Sequence, residues 1–247
     1  MSDARVMDAV KTAAGPIEAI GATYMLHPET FKRTEDNGYP HPFAGYFAGR
    51  GGVLGDVDAA TVSSVFTVFE PSIVAMFWDQ GKPVHGPAKG AELYQEMTGA
   101  WGRDHLAGQP GLDRIIELGE KVIEAAPTDG LPLFAGWTAV PRASDAPARA
   151  MQVLFVLREL RGAIHFVALT ASGLTPVEAH LINKGEQYCQ MFGWSEPFPD
   201  VSHLKSKRDE VEEVTNQREA EIWAKALTPE EAAELAGLVA AVQQAVG

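Results

Sequence analysis

Apolar residues return every three or four positions along most of this chain, and that spacing predicts helices almost throughout. Val6, Val10, Ile17, Ile20 and Tyr24 mark the inner face of a first long helix, with Gly15-Pro16 as its expected break or kink. Pro28 opens a short helix through Phe31 that ends at Asn37-Gly38; a second runs from Phe43 to Arg50 and stops at Gly51-Gly52. Asp58 is the predicted N-cap of a helix over 59–69, and Pro71 interrupts the chain before another over 73–78. Glycine-rich polar loops are expected at 79–90 and 107–111, leading into helices over 91–101 and 112–126.

The second half opens with a stretch, 127–147, whose four prolines predict a loop. Helical spacing resumes at Ala148. Thr175-Pro-Val-Glu178 combines an N-cap, a proline at the first helical position and a capping-box glutamate, and Thr228-Pro-Glu-Glu231 repeats it before a last helix over 232–246. Between them, 209–226 reads as a charged helix with Val211, Val214, Ile222 and Trp223 on its apolar side. Only 53–57 and 134–140 suggest short strands. The expected fold class is all-α, divided into helical units 1–126 and 127–247 that can pack as one domain.

The most informative segment is LRELRGAIHFVALTASGLTPVEAHLI, from Leu157 to Ile182. On one helix turning about 100° per residue, Arg158, Arg161 and His165 fall within an arc of roughly 60°. Charged groups are rarely set against a core unless they are paired or face a polar cavity. The stripe is therefore a candidate site: an anion-binding surface, with His165 as a candidate acid–base group. The bland alternative is three internally paired side chains. Arg50 and Tyr46, one helical turn apart, are the matching candidates in the first half, where an arginine closing a helix C-terminus is an equal explanation. The two regions echo each other. FAGYFAGRGGVL around Arg50 resembles VLFVLRELRGAI around Arg161, which raises an internal duplication as a second expectation.

Composition narrows the function classes. The 247-residue chain carries a formal net charge of −13, a poor match for a phosphate backbone, so no nucleic-acid partner is expected. The one small basic cluster, Lys205, Lys207 and Arg208, runs straight into four acidic residues. Cys189 is the only cysteine, which fits a reducing cytoplasm and excludes an intrachain disulfide. No apolar run is long enough for a membrane span. No two histidines have the i, i+4 spacing of a helical metal site, and no metal ligand set is legible. Gly51-Gly52-Val53-Leu54-Gly55 lacks the Lys-Ser/Thr ending of a phosphate loop, and a Gly-x-Ser-x-Gly elbow is absent, so no cofactor is named by the sequence.

Five segments together resemble a family of mainly actinobacterial helix-turn-helix proteins, the SalK-like or EvbL-like group. They are PIEAIGATYMLHPETF, GYFAGRGGVLG, VSSVFTVFEPSIV, LRELRGAIHFVALTASGL and GWSE, in matching order over roughly the first 200 residues. The resemblance implies a winged-helix ancestry. In that family the second arginine motif reads Arg-Gly-Asp-Gly-His; here it is Arg161-Gly162-Ala163-Ile164-His165, without the acidic residue. After Trp194, where the family continues into a helix, a turn and a wing, this chain has Pro197, Pro199 and a short interval. A degenerate winged helix that no longer reads DNA is the resulting expectation. The leading reading is a cytoplasmic protein that holds a small, partly apolar ligand in an interhelical pocket. The alternatives are an enzyme using His165 with Arg161 or Arg50 on an anionic substrate, and a DNA-binding regulator. The C-terminal helices are the expected face of a homodimer.

Overall fold

A computed structural model describes residues 3–246. It is all-α, with thirteen α-helices and no strand among the described residues: α1 (Ala4–Leu26), α2 (Pro28–Asp36), α3 (Pro42–Arg50), α4 (Ala59–Val65), α5 (Pro71–His85), α6 (Pro87–His105), α7 (Leu112–Ala125), α8 (Pro132–Ala139), α9 (Ala146–Ser172), α10 (Pro176–Lys184), α11 (Glu186–Met191), α12 (Lys205–Ala226) and α13 (Pro229–Val246). Both strand expectations are corrected. Residues 134–140 belong chiefly to α8, and 53–57 to a three-residue 3-10 turn and its exit.

Proline explains most of the other differences. Of the 16 prolines, eight sit in the first turn of a helix: Pro28, Pro42, Pro71, Pro87, Pro132, Pro147, Pro176 and Pro229. There the missing N–H costs nothing, because the first helical N–H groups have no intrahelical acceptor. The loop expected over 79–90 is thus the end of α5, a single positive-φ residue (Gly86) and the proline-led start of α6. The loop expected over 127–147 contains α8. Pro16 lies inside α1, which continues through it, so the expected break is absent and one backbone bond is simply missing.

Helix α9 is the axis of the molecule. Its residues Ala150 to Leu157 are buried on every face, because α6, α7, α8, α12 and α1 all pack around it. Packing crosses the expected boundary at 126/127 freely, since α6 and α7 from one side enclose α9 from the other. The last helix, α13, buries Ala232, Leu235, Ala236, Val239 and Val242, and its most extensive packing is on α1. A second core, rich in aromatics, gathers Phe47, Phe66, Phe69, Trp78 and Leu133 under α3, α4 and α5. Helices α3 and α5 cross at backbone contact: a Cβ at Gly81 would meet the Ala44 carbonyl at 2.2 Å. This tight crossing fixes the end of α3, and with it Arg50, between the two cores. Among the described residues, no helix is long and apolar enough to cross a membrane.

Candidate functional site

Arg50 is the last residue of α3 and is buried with its partner Glu159 in the middle of α9. Its Nε and Nη2 donate to the two Glu159 carboxylate oxygens, each at 2.9 Å, a fork-on-fork pairing. Its Nη1 donates to the Tyr46 hydroxyl at 2.6 Å, and the guanidinium carbon sits 4.7 Å from the centre of the Phe66 ring. The Arg50 carbonyl accepts from the Trp137 indole at 3.1 Å. Burial is the largest single influence and disfavours the Arg50 charge, but the charge and hydrogen bonds of Glu159 together with Tyr46 and Tyr94 outweigh it and hold the guanidinium above its usual pKa.

This pair lines a cavity of about 410 Å³ between α4, α8 and α9. Ala163, Phe166, Val167, Thr170 and Ala171 of α9 form one wall; Ser64, Val65, Pro132 and Leu133 face them. Val167 is half exposed and marks the mouth. A shallower groove on the far side of α4 runs past Phe69, Pro71, Pro176 and Trp194, and Ser64 and Thr67 border both spaces.

The remaining candidates divide into two groups. Arg158 donates to Glu159 at 3.1 Å and to Glu18 of α1 at 3.3 Å, so it braces the Arg50 partner from behind. Arg161 and His165 turn towards α12. Arg161 forks between Glu212 and Glu219, while His165 Nδ1 lies 3.2 Å from the Thr215 hydroxyl and 3.8 Å from Glu212. Arg208 donates to the same Glu212 at 3.1 Å. The structure therefore joins Tyr46, Arg50 and Arg158 around Glu159, and Arg161 with His165 around Glu212. Of all these residues only Arg50 and its partner Glu159 line the cavity. The two arginines of the sequence echo also occupy unlike positions, one at the end of a 9-residue helix and one inside a 27-residue helix.

A family model described as a helix-turn-helix family matches residues 10–201. The chain belongs to that family. No curated protein and no solved structure matches it. The family match covers the whole Arg50–Glu159 site and its cavity but stops short of α12, which supplies Glu212, Thr215 and Glu219. The family's helical segment before α12 contains the 9-residue α10 and the 6-residue α11. Beyond them, a three-residue 3-10 turn is the last regular element before α12.

The acidic partners of these arginines are not legible as partners in the sequence. Glu159 had a signal, since it stands between Leu157 and Leu160 in an otherwise apolar helix. Glu212 and Glu219 are seven residues apart, two helical turns, on the face that also carries Thr215. The cavity walls had none, because small residues such as Ser64 and Ala163 look alike in a core and in a pocket.

The His165 imidazole is pushed down to about 4, first by burial and then by the Arg208 charge, against the pull of Glu212. The unfolded chain takes up this proton near 6.5, so the contribution of His165 to stability is full above that pH and is lost as pH falls towards 4. Each affected unit of pH is worth at most about 1.4 kcal/mol. His180, stacked on Phe192 and also pushed down to about 4 by burial, acts in the same direction. Urea unfolding across this range should show stability falling with acid, and His165→Gln should flatten the slope. An unchanged slope in that variant would assign the acid sensitivity elsewhere.

Proposed function

We propose that this protein binds a small, largely apolar molecule carrying a neutral hydrogen-bond acceptor, in the cavity between α4, α8 and α9. The observation that carries this reading is the buried Arg50–Glu159 pair in the wall of a largely apolar space whose other polar lining is the hydroxyls of Ser64, Thr67 and Thr170. The volume, about 410 Å³, falls in the range of small-molecule pockets. Arg50 has five N–H donors, of which Glu159 takes two and Tyr46 one, leaving two for an acceptor in the cavity. Because Glu159 already neutralises the guanidinium, a carbonyl or ether oxygen fits better than a full anion. The enzyme reading needs His165 to share a substrate with Arg50 or with Arg161. Arg50 has a separate partner set, and Arg161, which does adjoin His165, is already forked between Glu212 and Glu219 away from the cavity, so the arrangement favours binding over catalysis.

Native mass spectrometry of the purified protein tests this. The wild type should carry a small-molecule adduct. Ala163→Phe, which fills the cavity from α9, should lose that adduct while melting within a few degrees of the wild type. An adduct-free wild type, or an adduct that survives Ala163→Phe, would overturn the proposal.

The family description favours a second reading, a DNA-binding regulator. The net charge of −13 opposes it, and no retention of duplex DNA at physiological salt is expected in a mobility-shift assay. Submicromolar, salt-dependent retention would establish the regulator instead.

A further inference from the structure

Away from the cavity, three metal-ligating side chains meet where the α1–α2 junction touches the end of α6. His27 links α1 to α2, Glu29 lies in the first turn of α2, and His105 is the last residue of α6. One ring nitrogen of each histidine and one Glu29 oxygen all lie within 4.8 Å of one another. The Glu29 Oε2 atom is 3.0 Å from His105 Nε2 and 3.8 Å from His27 Nδ1. Around a tetrahedral zinc ion with bonds of about 2.0–2.1 Å, neighbouring ligand atoms stand roughly 3.4 Å apart. The two separations lie on either side of that value. We propose that His27, Glu29 and His105 form a site for a divalent transition-metal ion of the zinc type, with its remaining coordination open to solvent.

The surroundings support this assignment. Two imidazoles and one carboxylate suit zinc, cobalt, nickel or copper, whereas magnesium and calcium take oxygen ligands. Both rings are held by the fully buried Trp101: His105 stacks on it at 4.4 Å, and His27 meets its edge at 6.2 Å. Glu29 is half exposed, so it is the one ligand that must move, and it can. His27 Nδ1 accepts the Glu29 backbone N–H at 3.3 Å, which means that this nitrogen already presents a lone pair. An ion would take that lone pair in exchange for a long, weak cap. The C-terminal end of α6 favours a cation, while the N-terminus of α2 opposes one, so the Glu29 carboxylate supplies the decisive charge. The nearby Asp104 is engaged by Arg33. The competing account is a plain His105–Glu29 ion pair, which needs no metal.

Calorimetric titration of the full chain with Zn²⁺, and visible absorption with Co²⁺, decide between the two. One equivalent should bind with a micromolar or tighter dissociation constant at neutral pH. His105→Gln and Glu29→Gln should each weaken binding by more than about a hundredfold, beyond the roughly 10–100-fold that loss of an outer-shell partner costs. His85→Gln and His203→Gln, elsewhere on the surface, should leave it unchanged. Glu29→Gln changes a half-exposed residue, so it remains informative if His105→Gln fails to fold. No saturable Zn²⁺ binding, or binding that survives Glu29→Gln, would overturn the site.

Discussion

Glu159→Leu should destabilise the protein by about 3–5 kcal/mol, because it leaves the Arg50 guanidinium buried without its counter-charge. At this chain length such a loss lowers the melting temperature by on the order of 10 °C. The Glu159 side chain is 1% exposed, so water cannot replace it without opening α9 from α3. The double change Arg50→Met with Glu159→Leu should recover most of the loss, since two apolar side chains of similar volume need no desolvation of charge. Thermal unfolding of the three proteins checks this. A single variant within about 1 kcal/mol of the wild type would mean that the pair contributes little and that Arg50 finds another partner.

Arg161→Leu should be comparably damaging, by about 3–5 kcal/mol, but in a way that acid relieves. It orphans Glu219, which is buried, whereas Glu212 is more than a third exposed and keeps Arg208. Burial already raises the Glu219 carboxyl above its ordinary value, with Arg161 pulling the other way. Without Arg161 that value climbs further. A carboxyl whose folded pKa exceeds its unfolded one stabilises fully below the unfolded value and loses that contribution as pH rises through the folded value. The melting gap between wild type and Arg161→Leu should therefore be small near pH 5 and widen towards pH 8. Glu159→Leu should show no such trend, because an arginine keeps its proton across this range. Parallel gaps for both variants at all pH values would refute this account of Glu219.

Legibility in the sequence tracked the physics of each signal. Helical periodicity and the Thr175 and Thr228 capping boxes were plain, because caps and apolar stripes are local. The proline-led starts of α6 and α8 read as loops, since a proline opening a helix and a proline in a turn have the same local signature. The polar stripe on α9 pointed to charged groups in a buried setting, and Arg50 with Tyr46 pointed to a second. Which glutamate each arginine meets was illegible. Arg50 and Glu159 are 109 residues apart, and nothing local records a pairing at that distance. The grouping of the three residues of the proposed metal site was illegible for the same reason: His27 and Glu29 are two apart rather than four, and His105 arrives from another helix.

The packing of α1 on α13 also bears on how the chain is made. A ribosome releases α1, with Val6, Val10, Ala13 and Ile17 along one side, well before its principal cover, which emerges only after the eleven intervening helices have been translated. At bacterial or eukaryotic elongation rates of about 5–20 residues per second, that apolar ridge stays uncovered for many seconds. It is a natural seat for a chaperone on the nascent polypeptide. Stalled or prematurely terminated products that lack α13 would leave the same ridge bare, marking them for capture or proteolysis.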